Sequence, residues 1–129
     1  MASSQTLWIH INDQALSLRR VAEMVFRALG VSLWEERESA NFPNGHYFAG
    51  YAENAALEVF DRDEEQGEHE YRYQVTIGPS RASKKGAGRI PDSAMEVGVV
   101  LAQNRFAVFE PSENWAAPNW DGSGKKYPG

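Results

Sequence analysis

Tyr71, Tyr73, Val75 and Ile77 alternate with Arg72, Gln74 and Thr76, and no other feature limits the possible folds of this chain so sharply. Neighbouring side chains on a strand point to opposite faces, so a two-residue period describes a strand with one face buried and one wet. A helix cannot bury that pattern, because its own period is 3.6 residues. The sheet that receives this strand must therefore carry a core on one side.

Other stretches extend the sheet. Residues 7–12 alternate, with Leu7, Ile9 and Ile11 on one face. Residues 31–38 and 46–52 read as strands on either side of Asn41-Phe42-Pro43-Asn44-Gly45, whose Asn-Gly pair is a strong hairpin signal. Residues 56–61 place Leu57 and Val59 opposite Glu58 and Phe60, and residues 105–110 place Phe106 and Val108 opposite Ala107 and Phe109. Between them lie two helical patterns. Ser17 is a suitable N-cap for a helix through Leu29, with Leu18, Val21, Ala22, Val25, Phe26 and Leu29 on one stripe and Gly30 at C′. A second helix opens at Pro91 and Asp92 and runs to about Asn104, with Met95, Val99, Val100 and Leu101 expected inward. Gly98 inside it costs roughly 1 kcal/mol relative to alanine.

The order is strand, helix, four strands, helix, strand, and strands joined by short turns pair antiparallel. The expected fold is α+β, a mainly antiparallel sheet of about six strands with two helices packed on one face. Residues 1–110 form a single domain in this reading, and residues 111–129 an irregular tail containing Trp115, Trp120 and Tyr127. The chain has 129 residues, 42% of them apolar, which suits one domain with a real core. It has no cysteine, which excludes disulfides and thiol nucleophiles and removes the usual structural zinc ligands. Residues 1–6 lack the basic and apolar parts of a signal peptide, and no apolar run reaches membrane-spanning length. A soluble, cytoplasmic protein with no membrane partner is expected.

Charge carries the main functional signal. Residues 35–70 hold eleven acids (Glu35, Glu36, Glu38, Glu53, Glu58, Asp61, Asp63, Glu64, Glu65, Glu68 and Glu70) against Arg37 and Arg62, in a chain whose total net charge is -5. Such a field repels nucleic acid and attracts a basic protein. Glu35, Glu36, Glu38, Asp61, Asp63, Glu64 and Glu65 are the expected charged contacts. Trp34, Phe42 and Tyr47 lie among them and are the expected aromatic anchors. The competing reading is a solvated sheet face, kept acidic to protect edge strands.

Catalytic signatures are weak by comparison. Glu36 and Glu38 share a strand face, as a carboxylate pair would, but no matching second acid can be assigned. His10, His46 and His69 form no metal-binding spacing. The loop at 79–90 carries Arg81, Lys84, Lys85 and Arg89 among glycines, yet it matches neither a P-loop nor a dinucleotide turn. No Gly-x-Ser-x-Gly occurs. The expectation is a protein that is not an enzyme and needs no cofactor or metal. The alternative is a small ligand-binding domain or enzyme that uses the sheet face or the loop at 79–90.

The segment Glu35-Glu36-Arg37-Glu38-Ser39-x-Asn41-x-Pro43-x-Gly45-x-Tyr47-Phe48-x-Gly50 resembles small immunity proteins of bacterial contact-dependent growth inhibition and polymorphic toxin systems. The resemblance covers this segment and the general size, charge and layout. It implies that the chain binds and neutralises one cognate toxin, a nuclease among the candidates, by covering the toxin's basic active site with an acidic surface. It carries over no catalytic residues.

Overall fold

Ser17 and Gly30 bracket the first helix as their chemistry requires. The Ser17 side chain accepts from the Arg20 amide at 3.2 Å, and Gly30 turns left-handed at φ 75°. Val31 then closes the end by donating to the Phe26 carbonyl at 2.8 Å. The helix, α1, spans Leu18–Leu29 and buries the expected stripe of Leu18, Val21, Ala22, Val25, Phe26 and Leu29. The structure, a computed structural model, describes residues 5–11, 17–40, 45–61, 72–79, 88–91, 93–111 and 124–127.

Around α1 the chain forms β1 (Gln5–His10), β2 (Leu33–Glu38), β3 (His46–Tyr51), β4 (Ala56–Asp61), β5 (Tyr73–Gly78), α2 (Ala94–Gln103), β6 (Ala107–Pro111) and β7 (Gly124–Tyr127). One sheet takes all seven strands in the order β2-β3-β4-β5-β1-β6-β7, and every pair is antiparallel. The α+β class, the antiparallel sheet and the two helices agree with the sequence. Among the described residues the sheet has seven strands rather than about six. The additional strand, β7, comes from the segment expected to be irregular, where Gly-Lys-Lys-Tyr offers too short an apolar pattern to signal a strand.

Both helices lie over one face. Leu7 and Ile9 of β1, Phe48 of β3, Leu57 and Val59 of β4, Tyr73, Val75 and Ile77 of β5 and Val108 of β6 meet them in one continuous core. The alternation read from the sequence therefore sets the register, because a one-residue slip would turn each of these side chains to the opposite face. That opposite face has its own buried pair, Trp8 and Phe109, with ring centroids 5.4 Å apart.

Helix α2 departs from expectation in its facing. Ala94, Val97, Gly98 and Leu101 are buried, while Met95 and Val99 are exposed. The helix is apolar nearly all round, so periodicity alone could not choose a side. Contacts choose it. A Cβ on Gly98 would sit 3.1 Å from Cε2 of Tyr127, so the glycine that weakens the helix also seats the aromatic ring of β7. The two departures meet at this contact, where part of the buried face of α2 rests on the strand that the sequence did not reveal. Tyr127 donates to Glu110 at 2.8 Å, and burial followed by this bond pushes its phenol well above the usual value.

Gly50 makes a similar close approach at the other end of the sheet, where a Cβ would run into the Phe26 ring. Gly50→Ala should lower stability by about 1–3 kcal/mol in urea unfolding, and adding Phe26→Leu should recover part of the loss. An unchanged midpoint in Gly50→Ala would contradict this contact.

Candidate functional site

Among the described residues strand β2 ends the sheet and pairs only with β3. The Ser39 amide donates to Gly45 at 2.9 Å, which fixes the direction of the ladder. In the observed register Leu33, Glu35 and Arg37 turn their main-chain groups toward Tyr51, Ala49 and Tyr47. The main-chain N–H and C=O groups of Trp34, Glu36 and Glu38 consequently point away from the sheet. Among the described residues these outward groups meet no hydrogen-bond partner.

Alternation splits the acids of β2 between the two faces. Glu36 and Glu38 lie on the helix-bearing face and are exposed, whereas Glu35 lies on the other. Glu35 accepts from the Tyr51 hydroxyl at 2.8 Å and stands 3.7 Å from Arg37. The hydrogen bond with Tyr51, followed by the Tyr47, Tyr51 and Glu35 charges, raises the Arg37 guanidinium above its ordinary pKa. Glu35 is thus already engaged within the protein. Glu36 has a looser neighbour, Arg19 at 3.9 Å, whose guanidinium also stands 3.6 Å from Glu23. Glu38 has no ion pair among the described residues.

The remaining expected contacts fall in different places. Asp61 ends β4 on the same face as Glu36 and Glu38, two strands inward and half-buried. Two strand spacings put it roughly 10 Å from the edge. Trp34 packs inward, its ring centroid 5.7 Å from Phe26 and 6.1 Å from Phe48, with Arg19 lying over it at 5.5 Å. Its aromatic surface closes the core beneath the edge. Tyr47 is half-buried on the face of Glu35, opposite Arg37. Phe42, Asp63, Glu64 and Glu65 lie outside the described residues, as does most of the loop at 79–90.

Tyr51 and Arg19 are the contributors that sequence reasoning missed. Tyr51 meets Glu35 only because the hairpin register sets Leu33 opposite Tyr51, and Arg19 meets Glu36 only because α1 packs against the face of β2 that carries Trp34. Neither meeting leaves a local pattern in the sequence.

A concavity lies at the opposite end of β4 from Asp61. It is a cleft of about 310 Å³ lined by Gln5, Asn54, Ala55, Ile77, Arg89, Pro91 and Ser93. Asn54 holds its wall by donating to the Ile90 carbonyl at 2.8 Å and accepting from the Ile90 amide at 3.0 Å. No carboxylate lines the cleft among the described residues. No group of three or more potential metal ligands occurs among the described residues, and no helix among them is long and apolar enough to cross a membrane. Compared with known proteins, the chain matches no family model, no curated protein and no solved structure.

The two kinds of acid on β2 should respond differently to substitution. Glu36→Gln and Glu38→Gln should each leave unfolding stability within about 0.5 kcal/mol of the parent. Tyr51→Phe, which removes a partner of Glu35, should cost about 1 kcal/mol. Equal losses at all three positions would show that the edge carboxylates are structural.

Proposed function

We propose that this chain is a binding protein that captures and neutralises a basic toxin protein, as immunity proteins do. One observation carries the reading: Glu36 and Glu38 stand exposed, side by side on one face of a strand whose outer edge meets nothing among the described residues. Asp61 extends the same negative face inward. A nuclease site that grips phosphate with Lys and Arg offers the complementary charge. The segment that resembles immunity proteins spans β2 and β3, the hairpin that builds this edge. Glu35 takes a different part, since Tyr51 and Arg37 engage it from within, and it holds the hairpin together.

A small-ligand domain is the second reading, favoured by the cleft of about 310 Å³ beside Arg89. That volume is at the lower end of ordinary ligand sites.

Immobilised protein incubated with extract of its own cells should retain one basic protein in one-to-one ratio and block that protein's isolated activity. Replacing Glu36 and Glu38 together with Lys should slow association by about tenfold or more at low salt. Raising the salt should narrow that difference. An Arg89→Ala chain should bind as the parent does. A partner captured equally well by the doubly reversed chain, or captured without loss of its activity, would contradict the proposal.

A further inference from the structure

We infer that the partner is held by strand addition: an extended basic segment pairs its main chain with the outer edge of β2. The inference rests on the binding function proposed above and specifies how the contact is made. Trp34, Glu36 and Glu38 each present an N–H and a C=O outward, at the two-residue spacing that an incoming strand requires. A side chain directly opposite Glu36 would place its Cβ within about 4.5–5.5 Å of that residue's Cβ, and the residue two further on would do the same at Glu38. Those two positions call for Lys or Arg. On the other face Leu33 is 45% exposed and offers an apolar neighbour at the start of the strand. The segment that fits is therefore extended, basic at alternate positions, and apolar near Leu33.

Charge selects this occupant over a second copy of the chain. Antiparallel pairing of two copies about Glu36 sets Glu36 against Glu36, and a shift of two residues sets Glu36 against Glu38. Like charges directly opposite one another destabilise a strand pair. The carboxylates thus guard the edge against self-association and leave it open to a cationic strand.

The test uses two blocked synthetic peptides of alternating Lys and Val, identical except that one is N-methylated on alternate residues along its pairing edge. N-methylation keeps the charge and deletes the main-chain donors. The unmodified peptide should bind and slow hydrogen exchange at the Trp34, Glu36 and Glu38 amides, while the N-methylated peptide should bind about tenfold or more weakly. Equal affinity for both peptides, lost in both when Glu36 and Glu38 become Lys, would overturn strand addition and leave the acidic binding surface standing. Binding that ignores the Lys reversals, or no binding of either peptide, would overturn both.

Variants of the protein give a second reading of the same contact. Glu36→Pro deletes the outward N–H together with the carboxylate and spares the β3 ladder, in which the Glu36 amide takes no part; edge strands tolerate proline at such positions. Glu36→Gln removes the charge alone. The proline chain should bind the unmodified peptide more weakly than the glutamine chain does. Equal affinity of the two, or a free protein that is a dimer and becomes a monomer in Glu36→Pro, would overturn the inference, the latter in favour of a second copy on this edge.

Discussion

An antiparallel strand with a neighbour on one side can satisfy only half of its main chain, and this constraint governs the acidic end of the protein. The bonds from β2 to β3 use Leu33, Glu35, Arg37 and Ser39, so Trp34, Glu36 and Glu38 must turn theirs outward. The same alternation divides the side chains. Trp34 is drawn under α1 and closes the core, while Glu36 and Glu38 follow it on that face into solvent. Glu35 and Arg37 go to the opposite face and meet Tyr51 and Tyr47. One hydrogen-bonding pattern thus decides which acids hold the fold together and which remain available to a partner.

The rest of the molecule keeps that edge in place. Phe26 of α1 presses on Gly50 of β3 and lies tilted against Trp34, which fixes the hairpin to the core. Strand β1 joins the hairpin-bearing half of the sheet to β6 and β7, and α2 covers the junction with Gly98 seated on Tyr127. Surface ion pairs contribute little to such a scaffold, since exposed pairs are typically worth no more than about 1 kcal/mol. Arg19, which touches Glu36 loosely and also leans on Glu23 and Trp34, can give way to a partner's cation without loss of the core.

Much of the fold was legible because local patterns and global packing agree. The caps of α1, its buried stripe, and the alternation through Leu57, Val59, Val75 and Ile77 all point to the same core. Strand β7 and the facing of α2 were not legible. A short Gly-Lys-Lys-Tyr segment has no strand signature, and α2 is apolar on too many sides for its period to name a face. At the candidate site the sequence marked the acids but not which of them the protein itself engages. The alternation already set Glu36 and Glu38 on one strand face, but the engagement of Glu35 by Tyr51 and of Glu36 by Arg19 depends on strand register and helix placement, which only the tertiary structure sets.

Residue-resolved hydrogen exchange on the free protein reads the outer edge of β2 one amide at a time. Within β2 a two-residue alternation is expected: the Glu35 and Arg37 amides protected by β3, and the Trp34, Glu36 and Glu38 amides exchanging as exposed main chain does. Uniform protection along β2 would mean that the outer edge is already covered in the free protein and that no open strand awaits a partner there.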